Sequence, residues 1–504
     1  MMGRTTVTKR ALLCFDFGTS SIKAGLIDSD GILREWHHED LLALSGADLE
    51  RWNPDLWLVG LRNVASQFFR SARKGRSVGG RAGHILQSNC ELSGVVFSGN
   101  GPTIVGVDSG GNAVDAAVLW MNRREIARPG SSSFFLPKIA WIREHRPELY
   151  ERAAHYFSFP EFLSFRAGGE RVTITPTDSF ARYIWTQEEI REYGVDPAKI
   201  PPFVRVGERI GSVTLSGAGS TGLPEGTPLF SGGSDFLMSL LGTGVVKPGR
   251  TCDRAGTSEG INHCVGHPVS NPRIRCLPHV IDGLFNAAGI LASTGRIFEW
   301  FRGISGQGSK GYAEMLQEII DVGHEASIPF FFPSLHRGET WEFSGAIFSN
   351  LEPHHGVAEM GRAVVESIGF GVRDLIETLE RNSCPIDEVR ACGGQARNAV
   401  WNQMKSDMTG KPIAVPSIVD AELLGDACAG FVALGEQTSL AEAAEALVHI
   451  ERVYEPNRGE HAKYSDEYSG YEERCRRILD AAHAVERSNG AAAVRGESGS
   501  ASKE

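Results

Sequence analysis

Apolar residues near the start of the chain fall into two runs, 11–15 and 22–27, separated by Asp16-Phe17-Gly18-Thr19-Ser20-Ser21. Short β-rich runs around small polar residues predict two strands and a tight hairpin turn. The pattern repeats at 92–97 and 103–107, which flank Ser98-Gly99-Asn100-Gly101-Pro102. A second turn at Asp108-Ser109-Gly110-Gly111-Asn112 precedes a further expected strand over 113–120. Helical spacing takes over at 137–143 and 148–154, and the aromatic-rich stretch 157–165 predicts core packing.

Beyond residue 223 the pattern turns to glycine and proline as far as Gly249, which marks a domain junction and a site built on loops. Strands followed by a helix are expected over 274–300, and a long amphipathic helix over 357–381 that ends near Asn382 and Pro385. A strand at 388–392 then leads through Gly393-Gly394-Gln395-Ala396-Arg397 into a helix reaching Thr409. Strand, glycines, helix is the order expected where backbone touches a ligand. Ser439-Leu440-Ala441-Glu442 is a capping-box helix start, and the Gly, Ala and Ser-rich tail from Ser488 is expected to be disordered.

Composition narrows the class. The 504 residues are 41% hydrophobic, enough for two to four domains at roughly 100–200 residues each. A net charge of -11 disfavours a nucleic-acid or anionic-membrane surface, so any anionic ligand must be held locally. The nine cysteines are dispersed without metal-like spacing, which predicts free thiols in a reducing cytoplasm. The apolar stretch behind the N-terminal basic residues breaks at Asp16, too early for a signal peptide, and no run approaches a membrane span.

The first hairpin carries the clearest chemistry. Backbone N–H groups of Gly18, Thr19 and Ser20 with the Thr19 hydroxyl can bond phosphate oxygens, Lys23 adds a compact positive charge, and Asp16 can hold Mg²⁺ directly or through water. The same residue types also build an ordinary turn, so the hairpin alone leaves both readings open. Two other motifs mislead. Gly217-Ala218-Gly219-Ser220-Thr221-Gly222 has dinucleotide-binding spacing, but Pro224 and Pro228 interrupt the helix that fold requires. Gly256-Thr257-Ser258-Glu259-Gly260 has the spacing of a hydrolase nucleophile elbow, yet strand-like residues follow where a helix should begin.

Taken in order, Asp16 to Lys23, Phe230-Ser231-Gly232-Gly233-Ser234-Asp235, Ala255-Gly256-Thr257-Ser258, Phe332-Pro333-Ser334, Gly393 to Asn398 and Glu422-Leu423-Leu424-Gly425-Asp426-Ala427 resemble the FGGY carbohydrate kinases, and within them the xylulokinases and related pentulose kinases. The resemblance spans residues 12–450. It implies an α/β, two-domain fold of the actin, hexokinase and Hsp70 type (ribonuclease H-like) with a central ligand cleft. Its N-terminal domain (1–245) would bind sugar and phosphate and its C-terminal domain (246–487) nucleotide, with 488–504 as the tail. The implied activity is ATP-dependent phosphorylation of a pentulose-like sugar, with Asp235 as general base and ATP and Mg²⁺ as cofactors. Another acceptor (deoxy sugar, polyol, gluconate or other ketose) and a non-catalytic actin-like ATP-binding role are the alternatives; a homodimer is left open. Gly256 and Thr257 would face the phosphates with Gly18, Thr19, Ser20 and Lys23, and Gly393, Gly394, Gln395, Asn398, Glu422 and Gly425 would border the adenosine.

The acceptor pocket departs from that family pattern. Asn100-Gly101-Pro102-Thr103 stands where xylulokinases resemble one another in Gln-Met-His-Gly, and Trp120-Met121-Asn122-Arg123-Arg124 replaces Trp-Asn-Asp-x-Arg. Asn100, Gly101, Trp120, Asn122, Arg124, Asp235 and Phe236 are the expected acceptor-binding residues. Phe236 follows the base where relatives often carry a polar residue, which implies a different hydroxyl pattern from D-xylulose if the ring faces the pocket; packing into the core is the other reading.

Overall fold

The computed structural model describes residues 9–19, 21–41, 52–70, 90–324, 327–334 and 343–498, with side chains given as far as residue 481. The first apolar runs form β1 (Lys9–Phe17) and β2 (Ser21–Asp28), an antiparallel hairpin that continues into β3 (Leu33–Asp40). β4 (Cys90–Gly99) lies parallel to β1, and β6 (Pro228–Ser234) parallel to β4, with β5 (Arg209–Ser212) antiparallel at the edge. The sheet order is β3-β2-β1-β4-β6-β5. β1 is buried from Ala11 to Phe17, as a continuous apolar run in a central strand covered on both faces should be.

The second sheet repeats this plan. β7 (Arg250–Ala255) and β8 (Glu259–Val265) form a hairpin, β9 (Arg275–Pro278) and β10 (Phe285–Leu291) extend the antiparallel side, and β11 (Glu388–Cys392) and β12 (Ile413–Pro416) add parallel strands beside β7. β13 (Ile450–Tyr454) closes the edge, giving β9-β10-β8-β7-β11-β12-β13. Each sheet therefore has an antiparallel hairpin whose first strand starts a parallel run. The turns at Gly18-Thr19 and Gly256-Thr257 occupy equivalent places.

All strands of the first sheet precede Val245 and all strands of the second follow it, but the helices do not divide so cleanly. Helix α3 (Asp235–Gly242) starts directly at the end of β6, and α6 (Ala421–Ala433), from the second half, packs beside it over the first sheet. Earlier in the chain α1 (Pro54–Phe69) and α2 (Phe159–Ala167) lie on the first sheet, and between α3 and α6 come α4 (Val357–Arg381) and α5 (Ala399–Thr409) on the second. α7 (Leu440–Leu447) and α8 (Arg458–Ser498) complete the chain. The α3 and α6 backbones come together through glycine: a Cβ on Gly242 would stand 1.7 Å from the Ala421 carbonyl oxygen, and one on Gly425 1.9 Å from that of Met238.

Two sequence expectations fail. The strand expected over 113–120 is reduced to isolated pairings of Ala113 with Val107 and Val118 with Ile104, because the Ala117 N–H donates to the Trp52 carbonyl and leaves the ladder. The tail expected to be disordered from Ser488 instead continues α8 through Ser498, with Ala491, Ala492 and Ala493 supplying helix-forming residues there. The elbow spacing around Ser258 lies in the β7–β8 turn and the start of β8, so no nucleophile elbow forms. Among the described residues no helix is long and apolar enough to cross a membrane.

Candidate active site

Three parallel strands end side by side, and their ends carry the polar residues. Asp16 lies near the end of β1, opposite Lys23 on β2 and Ser98 on β4, while Ser234 at the end of β6 pairs with Gly99. Asp235 is the next residue and opens α3. Carboxylates at the C-terminal ends of adjacent parallel strands face one crevice, the usual place for a ligand in such sheets.

The hairpin turn is held from both sides. Gly18 N–H donates to the Ser21 carbonyl (2.9 Å), and the Trp120 indole N–H donates to the Thr19 hydroxyl (3.2 Å). Trp120 N–H in turn donates to Thr103 Oγ1 (3.1 Å), which donates to Asn100 Oδ1 (2.7 Å), and Asn100 donates its backbone and side-chain N–H groups to the Phe17 carbonyl. Asn100 and Trp120 are thus tied to the phosphate-type turn, and Trp120 keeps 46% of its surface exposed. Gly101 lies against Ser234. Ser20 lies outside the described residues.

Charges of both signs fill the crevice. Asp16 is 4% exposed and its Oδ1 has no hydrogen-bond partner. Burial, with Glu422 and Asp235 close by, pushes its carboxyl well above the ordinary range, against the pull of Lys23 and Arg254. Lys23 pairs with Asp420 Oδ1 at 3.1 Å, and although burial opposes its charge, Glu422, Asp16 and Asp420 outweigh it and raise its pKa. Arg397 binds the other oxygen of Asp420. Asp235 Oδ1 accepts from the Phe236 N–H (2.8 Å) and Oδ2 from Arg254 Nη1 (3.0 Å), which also stands 3.6 Å from Glu422 Oε1. Deeper still, Asp426 is fully buried, accepts from Ser98 Oγ (2.8 Å) and is driven strongly toward its protonated form by desolvation. Gly232 makes room for it, since a Cβ there would stand 2.9 Å from Asp426 Oδ1.

On the facing side, Gly256 N–H donates to the Ser258 carbonyl, and the Gly256 carbonyl accepts from Gln395 Nε2 (3.0 Å). Gln395 Oε1 accepts from the Trp401 indole (2.8 Å). Gly393 has φ +83°, and a Cβ there would stand 2.5 Å from the Ala255 carbonyl, so only glycine fits. Gly394 faces open space, with no atom within 4 Å of the position a Cβ would take.

Several expected site residues make contacts within the protein. Phe236 packs its half-buried ring toward Phe180 and the first core. Asn122 Oδ1 accepts from both N–H and Nε of Arg124, whose guanidinium lies over Trp141, so these two residues bind each other. Asn398 Oδ1 caps α5 by accepting the Trp401 N–H. Gly425 is buried between α3 and α6, and Glu422 faces Arg254 and Asp16 at the charged centre. Arg254, Asp420 and Asp426 were missed as site residues. An arginine on the strand Arg250–Ala255, two residues before Gly256-Thr257, was the available signal for the first.

The model of the FGGY carbohydrate kinases, N-terminal domain, matches residues 11–242, and that of the C-terminal domain matches residues 254–434. The chain belongs to the FGGY family of carbohydrate kinases. This FGGY kinase is 29% identical to an autoinducer-2 kinase of Enterobacter over 64% of its own length and 65% of the relative's, so that match spans just under two thirds of the relative. It is 26% identical to the autoinducer-2 kinase of Salmonella typhimurium over 90% and 92%. Its fold matches a xylulose kinase of Rhodospirillum rubrum (TM-score 0.74, 19% identity, 94% and 100% coverage) and a Plasmodium falciparum glycerol kinase crystallised with ADP (TM-score 0.73, 14% identity, 93% and 98%). The actin and hexokinase-like architecture expected from the sequence is therefore the architecture of this FGGY kinase.

Magnesium fits this crevice in one respect. Asp16 offers a buried oxygen without a partner, and among the described residues no group of three His, Cys, Asp or Glu side chains could hold a metal. A single carboxylate together with substrate phosphates is a common way to hold Mg²⁺.

Proposed function

We propose that this FGGY kinase transfers the γ-phosphoryl group of ATP to a hydroxyl of a small polyhydroxylated acceptor, with Asp235 as general base. The observation that carries this reading is the convergence of Asp235, Arg254, Lys23 and Asp16 on one crevice between two glycine-threonine hairpin turns. A sugar hydroxyl is a poor nucleophile until a carboxylate takes its proton, an effect worth about 10²–10⁴-fold. The acceptor oxygen then forms a bond to Pγ, the bond from Pγ to the bridging oxygen breaks, and its electron pair leaves on ADP. Little covalent work is left to the protein, so Thr19, Lys23 and the Gly256-Thr257 turn act by positioning the phosphates and neutralising their charge. Asp16 would hold Mg²⁺, which when bound neutralises phosphate charge.

The acceptor is proposed to differ from D-xylulose. The carboxylate of the xylulokinase turn is here Asn122, whose side-chain oxygen is committed to Arg124. The similarity to autoinducer-2 kinases over nine tenths of the chain supports a related acceptor. ADP release measured with autoinducer-2, D-xylulose, gluconate and glycerol as acceptors tests this. Turnover of autoinducer-2 in clear preference to D-xylulose is expected; preference for D-xylulose would refute the altered pocket.

A further inference from the structure

Arg254 belongs to the second sheet, yet its guanidinium crosses the crevice to Asp235 at the start of α3. It sits two residues before Gly256 on the strand that feeds the second phosphate-type turn, and a third of its side chain remains exposed to the crevice. Nη1 is shared between Asp235 Oδ2 (3.0 Å) and Glu422 Oε1 (3.6 Å), so the cation is held without being sealed in. Both oxygens of Asp235 are occupied at the same time, Oδ1 by the Phe236 N–H and Oδ2 by Arg254. Each oxygen keeps a further lone pair, but Oδ2 shares its charge with Arg254 rather than with an acceptor hydroxyl.

We propose that Arg254 is a further phosphate-contacting residue of the reaction, shared between the base and the nucleotide. In the nucleotide-free crevice it pairs with Asp235. When ATP binds, the terminal phosphate competes for the guanidinium, which turns from Asp235 toward the transferring group while Glu422 anchors it. Arginine suits this exchange, since its fork stays charged and binds carboxylate and phosphate alike. The exchange has two consequences: Asp235 Oδ2 is released to take the acceptor proton, and a cation stands beside the phosphoryl group as its bond passes from the ADP oxygen to the acceptor oxygen. It also keeps the base engaged until ATP is in place.

The inference rests on the kinase reading, and its test is chosen to be legible apart from the acceptor. Binding of ADP and of a non-hydrolysable ATP analogue, each with Mg²⁺, is measured by calorimetry for the parent and for Arg254→Met and Arg254→Lys. Arg254→Met is expected to bind ADP within about threefold of the parent but the ATP analogue at least about tenfold more weakly. Arg254→Lys, which keeps the charge and loses the fork, should fall between them. With the best acceptor, kcat of Arg254→Met should drop at least about 10²-fold while the acceptor KM stays close to the parent's. Equal weakening toward both nucleotides, or a kcat within about threefold, would overturn the proposal. Should Arg254→Met not fold, Arg254→Lys and Arg254→Gln carry the same comparison. A parent that binds nucleotide but phosphorylates no acceptor would sink the kinase reading while the ADP-to-ATP selectivity still judges Arg254.

Discussion

Lys23 and Asp420 face each other at 3.1 Å across the two halves of the chain, one on the first hairpin and the other at the N-cap of α6. Asp420 also binds Arg397, at the end of the glycine segment that leads into α5. The first phosphate-type turn is thereby joined electrostatically to the segment expected to border the nucleotide. Replacing Lys23 by Met removes the cation proposed to face the phosphates and leaves Asp420 to Arg397 alone. A charge-assisted contact of about 1.5–3 kcal/mol corresponds to roughly a 10–100-fold rise in the KM for ATP. Steady-state kinetics with ATP varied at saturating acceptor checks it.

Asp235→Asn keeps the shape of the side chain and removes its ability to take a proton. The variant is expected to fold and bind nucleotide, and to phosphorylate its acceptor at least about 10²-fold more slowly. Retained turnover in a coupled ADP assay would remove Asp235 from its role.

The α3–α6 contact is a test of packing. A methyl group at Gly242 would meet the Ala421 carbonyl oxygen at 1.7 Å, a backbone atom that no side-chain rotation can move aside. Overpacking of this kind costs typically about 1–3 kcal/mol, and here the upper end is expected because two helix backbones must separate. Because α3 begins at Asp235 and α6 carries Glu422, Gly242→Ala should lower both the melting temperature and kcat. A melting temperature equal to the parent's would show that the helices slide freely.

How far the sequence could be read depended on whether an interaction was local. The β1–β2 hairpin was legible because apolar runs flank Gly18 and Thr19 and leave few other folds. The helix 357–381 and the strand–glycine–helix unit at Gly393 were legible for the same reason. Arg254 was not, since nothing around it in the chain says that it will meet Asp235 at the start of α3. Lys405 is a stronger case: buried in α5, it donates to Asp253 on β7 (2.6 Å) and to Glu259 on β8, residues about 150 positions earlier. The strand expected at 113–120 failed through one backbone bond to Trp52, which no local pattern could announce.

That buried cluster makes its own prediction. Lys405 is the only cation bonded to Asp253 and Glu259 among the described residues, and burial with the nearby Asp253 pushes Glu259 up to about 8. Lys405→Met would leave two buried carboxyl groups without their cation, a change of about 3–5 kcal/mol against the fold. Urea unfolding should show the loss directly. Since Asp253 and Glu259 flank the Gly256-Thr257 turn, a variant that does fold should also bind nucleotide more weakly.

His279 sets a pH dependence with a definite sign. It is fully buried and desolvation pushes it down to about 4, while the unfolded chain titrates near the ordinary 6.5. Its contribution to stability is present above about 6.5 and is lost as the pH falls from there toward 4, at up to about 1.4 kcal/mol per pH unit. Glu161 and Glu366, raised to about 7 by burial, act the opposite way between their unfolded values and 7, so the parent's own profile is a sum. The difference between parent and His279→Asn isolates the histidine: the variant should be less stable at pH 7 and lose less stability on going to pH 5. Parallel profiles would contradict a buried neutral imidazole.

The side-chain amide of Gln395, expected beside the adenosine, spans from the Gly256 carbonyl to the Trp401 indole. Trp401 stands one helical turn before Lys405, whose ammonium lies 5.3 Å from the indole ring. The turn carrying Gly256 and Thr257 is therefore braced at its tip by Gln395 and at its legs, Asp253 and Glu259, by Lys405. Trp401→Phe keeps an aromatic ring but removes the N–H that orients Gln395, together with the pyrrole part of the indole. Loss of one such bond is worth about 0.5–1.5 kcal/mol, too little to unfold the protein but enough to let the turn wander. We expect kcat to fall about tenfold or less, a small rise in the KM for ATP and an unchanged acceptor KM. Gln395→Ala should reproduce the effect, and the double variant should add little to either single change, because all three remove the same brace. Additive losses in the double-variant cycle would mean that Gln395 and Trp401 act separately.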